Sequence, residues 1–467
     1  MRNNKIIRSE VFRGVFFVFL VVFTVLISRN FDSVTEYISQ ADHTPAAFII
    51  NTQSSKGNLP RPWRNLAQGG ESFSWRLAPI STMVKTLNPE YIRIDHIYDF
   101  YEIVQGSPGS LYFDFTKFDV ILQDIRNVGA TPFISLSYMP PNISSGNIVD
   151  KPLSYADWQY IVQKTVEHVS GTMGFDNVYY EVWNEPDLFG GWKYYGDKNY
   201  LDLYAAAARG ATAAQNVSSF KIGGPSTTKP YKSWIESLLK LAVEQNLRLD
   251  FISWHRYSHD INIFTRDAEE VKSWAREYPQ VAENLEYYLT EWGHTSEMDS
   301  DYDNRNSAAH TVASAISMVG NVDRSFIFEI QDGADPKGEA YWGRWGLFTA
   351  NEQGNNPKIR YSGLKYLDSL SSDWLELSGQ GSKVKGLATK TPDGQVQMVV
   401  ANYDRKDSNQ EIVPVIYENI NPGRYLINIR YLSGKTSTIE TATSGAQLKT
   451  ALLMPANDVA FVLLSPR

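Results

Sequence analysis

Cysteine is absent from this chain of 467 residues. Without a thiol, the protein can form no disulfide bond, use no cysteine nucleophile and build no thiolate metal site. The absence leaves the compartment open, because cysteine-free proteins suit the reducing cytoplasm as well as an oxidising exterior.

Clusters of positive charge are missing beyond the first residues. The formal net charge is −8 at pH 7, and no group of lysines and arginines stands out after the N-terminus. Because nucleic acids bind basic patches, this pattern argues against a nucleic-acid partner. The sequence also shows no internal repeat of short period and no low-complexity tract.

One long apolar run without charge spans residues 14–28. The basic residues that precede it are Arg2, Lys5, Arg8 and Arg13. This pattern is typical of a transmembrane anchor or of a signal-peptide core, and the small residues suited to a signal peptidase, Ser39 and Ala41, lie too far beyond the run. We therefore expect residues 1–28 to form an uncleaved single-pass anchor in the cell membrane, with a secreted protein as the alternative. The positive-inside rule then places the remainder of the chain outside the cytoplasm.

The following part of the sequence predicts an α/β fold. Residues 29–45 are polar, show no clear period and are expected to form a linker. Over residues 46–373, strand-like segments alternate with amphipathic segments of helical period, which is typical of parallel βα units. Eight such strands predict a (β/α)8 barrel, or TIM barrel. The predicted strands lie near residues 63–67, 91–97, 131–139, 178–186, 220–225, 250–257, 285–293 and 325–331.

The pattern changes after the barrel region. Residues 374–467 lack helical periodicity and contain short alternating strands separated by turns such as Pro392-Asp393-Gly394. This pattern predicts a C-terminal β-sandwich domain. A strand at residues 46–52 fits either the barrel region or this sandwich, and in the second case it joins the two ends of the chain.

Two glutamates lie where a glycosidase needs its carboxyl groups. Glu185 ends the fourth predicted strand and Glu291 ends the seventh, and the active sites of barrels lie at the C-terminal ends of their strands. A retaining glycoside hydrolase uses one carboxyl group as the general acid and a second as the nucleophile. Taken alone, Asn184-Glu185-Pro186 also fits a turn that ends a strand. The second glutamate favours catalysis.

Other polar side chains are expected at the same rim, because residues alternate inward and outward along a strand. Arg93 and Asp95 on the second strand face inward, where Arg93 can bind a catalytic carboxylate or form an internal salt bridge with Asp95. His255 and Tyr257 face inward on the sixth strand, and the phenol of Tyr257 is suited to keeping the nucleophile ionised. The amide of Asn184 is suited to a sugar hydroxyl next to the reacting carbon.

The alternation also makes predictions for large side chains near the two glutamates. Glu181, Trp183 and Glu185 are expected to face inward together, with Glu181 deeper in the barrel. Trp292 is a candidate for the wall of the pocket. The loop after the eighth strand, with Tyr341, Trp342, Arg344 and Trp345, can also wall the pocket, or it can simply pack on the barrel.

A metal site is the alternative use of the histidines. His255 and His259 could bind a metal with Glu291 and His294, but their spacing is helical within a strand-and-loop context, and no zinc-type motif is present. A histidine packed in the core is the commoner outcome. We expect no metal and no cofactor.

Several motifs resemble glycoside hydrolase family 39, a clan A family that contains β-xylosidases and α-L-iduronidases. The segment at residues 181–188 resembles the acid/base segment of that family, and Thr290-Glu291-Trp292 resembles its nucleophile segment. Similar motifs also occur at Tyr138-Met139-Pro140, Gly223-Gly224-Pro225 and Ser253-Trp254-His255-Arg256-Tyr257. The likeness in layout spans residues 46–467.

The resemblance implies that Glu185 is the acid/base and Glu291 the nucleophile, with supporting roles for Asn184, His255 and Tyr257. One position departs from the family pattern. The family usually has a histidine two residues after the arginine of the second strand, whereas this sequence has Asp95 there and His96 after it. Asp95 and His96 are both candidate substrate contacts, and the sugar can differ from xylose.

We therefore interpret the chain as a retaining, β-xylosidase-like glycoside hydrolase that cleaves an oligosaccharide or polysaccharide through a covalent glycosyl-enzyme. The alternatives are a membrane-tethered endo-glycosidase acting on envelope or extracellular polysaccharide, and a non-catalytic carbohydrate-binding barrel. An iduronide would require a basic residue for its carboxylate, for which the sequence offers Arg256, Lys193 and Arg344.

Overall fold

Eight parallel strands close into a barrel in the computed structural model of the protein, which describes residues 44–70, 73 and 75–467. The first eleven strands are β1 (Phe48–Asn58), β2 (Asn65–Gln68), β3 (Tyr91–Ile94), β4 (Val104–Ser107), β5 (Ser110–Phe113), β6 (Thr131–Leu136), β7 (Val178–Val182), β8 (Phe220–Thr227), β9 (Phe251–Tyr257), β10 (Glu286–Gly293) and β11 (Arg324–Phe328). The barrel runs from β2 through β3 and β6 to β11, and β11 pairs with β2 to close it. The predicted (β/α)8 barrel is confirmed.

Helices cover the outside of the barrel, and β4 and β5 form a separate hairpin. The α-helices are α1 (Ser81–Lys85), α2 (Ile97–Phe100), α3 (Thr116–Asn127), α4 (Tyr155–Val166), α5 (Tyr200–Ala213), α6 (Lys232–Glu244), α7 (Ile263–Ala275), α8 (Pro279–Ala282), α9 (Arg305–Met318) and α10 (Ile359–Asp368). A π-helical turn, Glu167–Thr172, extends α4. Helices of this amphipathic kind bury their apolar faces against the outward side chains of the strands.

The predicted membrane anchor at residues 1–28 lies outside the described residues, and so does nearly all of the predicted linker at residues 29–45. In the part of the chain that the structure describes, no helix has both the length and the apolar character needed to cross a membrane. Thr44 is the first described residue and lies shortly before β1.

The lower interior of the barrel is filled by aromatic rings, which we call the aromatic plug. Its members are Tyr91, Phe133, Tyr179, Phe251, Tyr288 and Phe326. Phe133 is fully buried, and its ring centroid lies 4.6 Å from that of Phe326 and 5.6 Å from those of Tyr179 and Phe251. The residues next to them along the strands, such as Ile134 and Ile252, pack in the outer core. This part of the barrel therefore follows the strict alternation of regular strands.

The C-terminal region forms a second domain around its own apolar core. Its strands are β12 (Asp373–Ser378), β13 (Val384–Lys390), β14 (Val396–Asn402), β15 (Glu411–Glu418), β16 (Gly423–Tyr431), β17 (Thr436–Thr443), β18 (Gln447–Met454) and β19 (Asp458–Pro466). They form one sheet of nine strands with β1, in the order β17-β16-β19-β14-β13-β12-β1-β15-β18. The edge strands β17 and β18 touch each other, so the sheet folds over its core as the two layers of a sandwich do.

β1 belongs to this C-terminal sheet and lies outside the barrel. It pairs antiparallel with β12 and parallel with β15. The first described strand of the chain is therefore held between two strands that follow the barrel in sequence.

Helix α9 joins the two domains. It packs against α10 on the barrel side and against β13, β14 and β19 of the sheet. Its buried residues are mostly alanine and serine, and it is buried on nearly all sides. Small side chains on every face allow both domains to approach the helix closely.

Candidate active site

Arg93 is the centre of a polar layer above the aromatic plug. Its side chain is fully buried, and it donates three hydrogen bonds of 2.8 Å: Nε to Glu181, Nη1 to Glu291 and Nη2 to Asn184. Burial alone would lower the pKa of this guanidinium, but the nearby carboxylates of Glu181 and Glu291 outweigh it, and the pKa is raised. A charged arginine thus fixes both carboxylates and the amide of Asn184. We call these four side chains the polar layer.

The end of β7 breaks the strand alternation. The strand stops at Val182, and the next residues include two with positive φ, Trp183 at 75° and Glu185 at 44°. Such values are uncommon for residues other than glycine and carry a conformational cost of about 1–3 kcal/mol each. The turn lets the consecutive residues Asn184 and Glu185 both reach the barrel mouth, which a regular strand forbids.

Trp183 points the other way. It packs in the outer core, with its ring centroid 5.4 Å from that of Tyr138, 5.3 Å from that of Trp192 and 6.3 Å from that of Trp158. The prediction that Trp183 faces inward with Glu185 is wrong, because it assumed a regular strand through residue 185.

A register shift on β10 has the same effect. Pairing with β9 slips between Leu289 and Glu291. Leu289 packs in the outer core, whereas Glu291, two residues later, points to the barrel mouth. Trp292 therefore faces outward, 5.5 Å from the ring of Phe264. The expectation that Trp292 lines the pocket is corrected by this bulge.

Glu291 is held by two donors. Arg93 bonds to its Oε1, and the phenol of Tyr257 donates to its Oε2 at 3.0 Å. Burial raises the pKa of Glu291, and the charge of Glu185 adds to the rise. His255 and Arg93 oppose it, and the net pKa is raised. Both hydrogen bonds favour the carboxylate form and aim one of its oxygens.

Glu185 is paired with a buried histidine. Nδ1 of His255 lies 2.8 Å from Oε1 of Glu185, and Nε2 lies 3.0 Å from the hydroxyl of Ser226. Burial lowers the pKa of His255, but Glu291 and Glu185 outweigh it, and the net pKa is raised. His255 is thus held at Glu185 by a short contact, and the same ring nitrogen lies 3.5 Å from Oε2 of Glu291.

The two glutamates are close together. Oxygen atoms of Glu185 and Glu291 and a ring nitrogen of His255 lie within 4.8 Å of one another. These atoms satisfy the distance requirement for a metal site, but the cationic Arg93 already bonds to Glu291, and like charges disfavour a metal ion there. The arrangement suits proton transfer and attack on an electrophile.

The metal set considered from the sequence is not assembled. His259 lies 2.8 Å from the hydroxyl of Tyr403, and the ring of His294 stacks on Tyr302 with centroids 3.8 Å apart. Both histidines lie at the junction with the C-terminal domain, next to His310. They therefore act in packing between the domains.

The glutamates line a cavity of about 370 Å³ at the barrel mouth, which we call the rim cavity. Its other lining residues are Gly69, Gly70, Asp95, His96, Tyr138, Asn184, Leu188, Phe189, Tyr257, Ser296, Glu297, Phe328 and Trp345. Phe328 and Trp345 form an aromatic wall, with ring centroids 5.4 Å apart. Such a wall suits the C–H face of a sugar ring.

The loop after β11 supplies one of its two candidate tryptophans to the rim cavity. Trp345 lines the cavity, whereas Trp342, the proposed substrate contact, does not and packs near Arg344. Tyr138 was missed as a site residue, although its motif was recognised. Its hydroxyl accepts a hydrogen bond from Asn184 at 2.9 Å.

His96 lines the cavity next to Asp95. A left-handed backbone at His96, with φ of 54°, turns the chain after β3 so that both neighbours face the cavity. Nδ1 of His96 lies 2.8 Å from Asp99, and the ring stacks on Phe100. A side chain at Gly70 would collide with His96, because a Cβ there would lie 2.3 Å from Nε2. His96 is therefore a fixed wall of the cavity.

The basic residues considered for an iduronide carboxylate do not line the rim cavity. Arg256 forms a bidentate ion pair with Asp267 at 2.5 and 2.7 Å. Arg344 lies over the ring of Trp345, 3.6 Å from its centroid, and outside the lining. Lys193 is exposed and also absent from the lining.

A second cavity of about 400 Å³ lies between α7, α9 and the C-terminal sheet. Its described lining includes Lys56, Arg266, Trp374 and Lys385 and contains no carboxylate. The two cavities have similar volumes, so size does not show which one is the active site. The lining does, because the paired glutamates lie in the rim cavity.

Comparison with known proteins agrees with this geometry. A beta-xylosidase from Caldicellulosiruptor saccharolyticus is 26% identical over 350 residues, which cover 68% of this chain and 68% of that protein. The crystal structure of a family 39 enzyme from Xanthomonas axonopodis pv. citri matches with a TM-score of 0.75 at 20% identity, over 91% of this chain and 98% of that one. A monomeric beta-xylosidase from Caulobacter crescentus matches with a TM-score of 0.74 at 21% identity, over 90% and 99%.

The sequence model described as glycosyl hydrolases family 39 matches residues 46–419, which include the whole barrel and the first strands of the C-terminal sheet. The resemblance inferred from the motifs is thereby confirmed. The chain belongs to glycosyl hydrolases family 39 and is a glycosidase that hydrolyses O-glycosyl compounds.

Proposed function

We propose that the protein is a retaining, β-xylosidase-like glycosidase in which Glu291 is the nucleophile and Glu185 the acid/base. The observation that carries the proposal is the short separation of the two carboxyl groups, whose oxygens approach within 4.8 Å. Retaining enzymes hold these groups about 5–5.5 Å apart, whereas inverting enzymes need roughly 6.5–9.5 Å to admit a water molecule between them.

In the first step, Glu291 attacks the anomeric carbon of the sugar while the bond to the leaving oxygen breaks. Arg93 and Tyr257 support this role, because they hold one carboxylate oxygen each and favour the ionised form. The leaving oxygen takes a proton from Glu185, so the aglycone departs as a neutral alcohol. The product of the step is a covalent ester between the sugar and Glu291.

In the second step, Glu185 acts as a base. It removes a proton from a water molecule that attacks the anomeric carbon, and the ester bond to Glu291 breaks with release of the carboxylate. His255 supports both steps, because its ring nitrogen lies 2.8 Å from the carboxyl group of Glu185 and orients it. Net retention of configuration follows from the two inversions.

The test is a panel of aryl glycosides that includes β-xyloside, β-glucoside, α-L-arabinoside and α-L-iduronide. We expect release of the aryl alcohol by the wild type and none above background by Glu291→Ala. Glu185→Gln should still release a leaving group that needs no proton, such as dinitrophenolate, in a fast burst, followed by slow turnover because the base of the second step is missing. It should lose activity on glycosides with poorer leaving groups.

Two further readouts examine the stereochemical course. A 2-deoxy-2-fluoro glycosyl fluoride should label Glu291, which peptide mass spectrometry detects. Proton NMR of the first-formed sugar should show the anomeric configuration of the substrate. An inverted first product, or label on a different residue, would overturn the assignment.

An endo-acting glycosidase is a second candidate, favoured by apolar side chains around the barrel mouth. Leu188 and Phe189 line the rim cavity and are 59% and 42% exposed. Tyr341 and Met298, on the loops after β11 and β10, are 52% and 60% exposed. Apolar surface beyond the cavity suits further sugar units. Digestion of oligosaccharides of graded length separates the candidates, since an endo-enzyme releases internal fragments first.

We also propose that the catalytic domain works outside the cytoplasm, tethered to the cell membrane. The support is the uncharged apolar run at residues 14–28, preceded by four basic residues. Fractionation of cells that express the full chain tests this, because a tethered enzyme sediments with membranes and a secreted one stays in the medium.

A further inference from the structure

Asp95 places a nearly buried carboxylate at the barrel mouth. It lines the rim cavity and is only 8% exposed. Among the described residues, none forms a hydrogen bond or close ion pair with it. The internal salt bridge with Arg93 does not form, because that guanidinium bonds to Glu181, Glu291 and Asn184.

Such a group is costly unless something donates to it. An ionised carboxylate accepts hydrogen bonds and donates none, and its desolvation is unfavourable when no donor compensates. Burial raises the pKa of Asp95, and the nearby charges of His96 and Arg93 oppose that rise. A ligand that carries hydroxyl groups would supply the missing donors.

The surroundings of Asp95 are acidic. Glu185, Glu291 and Glu297 line the same cavity. The one lining residue among those described that can carry positive charge is His96, which is already hydrogen-bonded to Asp99. A sugar that carries its own carboxylate would face like charges in this cavity.

We propose that Asp95 determines sugar specificity: it accepts hydrogen bonds from the 3- and 4-hydroxyls of a neutral sugar, and the cavity rejects uronides. The inference rests on the proposed function, because it takes the reacting carbon to lie between Glu185 and Glu291. Asn184, one residue before the acid/base, is the partner for the 2-hydroxyl, so the hydroxyls farther from the reacting carbon are left for Asp95.

The effect should be large enough to measure. A site built to hydrogen-bond a substrate hydroxyl can reject the analogue that lacks it by as much as about 10⁴–10⁵-fold, because the site's polar group is left unpaired. Asp95 keeps slight access to solvent, so we expect a loss of roughly 10²–10³-fold in kcat/KM for the deoxy analogue.

The experiment is a substrate–variant cycle on the full-length protein. The kcat/KM of the preferred aryl glycoside is compared with that of its 3-deoxy and 4-deoxy analogues for the wild type, Asp95→Ala and Glu297→Gln. In the wild type, at least one deoxy analogue should be hydrolysed roughly 10²-fold more slowly or worse. In Asp95→Ala, which has no acceptor at this position, the ratio should shrink to within about threefold. In Glu297→Gln, which removes an exposed carboxylate from the same cavity, the ratio should persist.

Equal deoxy penalties in the wild type and Asp95→Ala would overturn the inference, as would hydrolysis of an aryl uronide at the rate of the neutral glycoside. The uronide arm on the wild type needs no variant, so it tests the rejection of uronides even if Asp95→Ala fails to fold. Asp95→His offers a second replacement that changes the acceptor into the family's usual residue. Failure of the proposed function looks different, since the wild type would then hydrolyse none of the parent glycosides.

Discussion

The aromatic plug and the polar layer occupy the same barrel but obey different rules. In the plug, Phe133 and its neighbours follow the alternation of regular strands, and each ring packs on others. In the polar layer, Asn184 and Glu291 reach the barrel mouth only through a left-handed turn and a slipped register. The comparison teaches that the buried rings stabilise the regular barrel, whereas the catalytic side chains are positioned by local irregularities in its strands.

Removal of the nucleophile should show the largest difference between an effect on activity and an effect on stability. Glu291→Ala should lower kcat/KM by roughly 10⁵-fold, which corresponds to about 7 kcal/mol in the barrier. Stability should change by less than about 2 kcal/mol, because Arg93 keeps the carboxylate of Glu181. Aryl glycoside kinetics and urea denaturation measure the two effects. If Glu291→Ala destabilised the protein as much as a substitution in the aromatic plug does, the polar layer would also be needed for stability.

Removing the central charge should damage both properties. Arg93→Met leaves the buried carboxylates of Glu181 and Glu291 without their cation, and we expect a loss of about 3–5 kcal/mol in the free energy of unfolding together with loss of activity. The double variant Arg93→Met/Glu181→Gln should recover part of the stability and none of the activity. If the double variant is no more stable than the single one, charge burial is not the cause.

A cavity in the plug should act on stability alone. Phe133→Ala removes a ring that contacts several others, so the free energy of unfolding should fall by roughly 3–5 kcal/mol. Phe133→Leu is the matched control and should lose less. Below the unfolding temperature, kcat per folded molecule should stay within about tenfold of the wild type. A larger drop would mean that the plug also positions the polar layer.

The smallest expected effect is on the pH dependence of stability, and it depends on a difference between two buried histidines. His255 in the site has a raised pKa, whereas burial lowers the pKa of His310, at the domain junction, to about 3. His310 therefore takes no proton in the folded state until well below the pKa of about 6.5 that it has when unfolded. Its contribution to stability is complete above that value and is lost as pH falls toward 3.

The check is the slope of unfolding free energy between pH 6.5 and 5.5 for the wild type and His310→Gln. Each neutral buried histidine contributes at most about 1.4 kcal/mol per pH unit. The variant should therefore have the shallower slope. Parallel slopes would show that His310 is as readily protonated in the folded protein as in the unfolded one.

Much of this structure follows from the sequence where strands are regular. Alternation and turn residues predict the eight barrel strands and the inward position of Arg93, and strand ends identify Glu185 and Glu291. The orientation of Trp183 could not be predicted, because one residue in a left-handed conformation reverses the side chains that follow it. The outward orientation of Trp292 does follow from alternation once Glu291 faces inward. The lining role of Trp345 instead of Trp342 depends on the path of a loop, which carries no periodic signal.

The position of β1 in the C-terminal sheet determines when this strand can pair during synthesis of the chain. β1 leaves the ribosome before any barrel strand, yet its partners β12 and β15 are made only after the barrel is complete. The backbone N–H and C=O groups of β1 therefore lack their native partners while the catalytic domain is being synthesised. A chain that ends before these partner strands cannot complete the C-terminal sheet. A nonsense mutation before β15 thus leaves at least one edge of β1 unpaired, although β1 lies near the other end of the sequence.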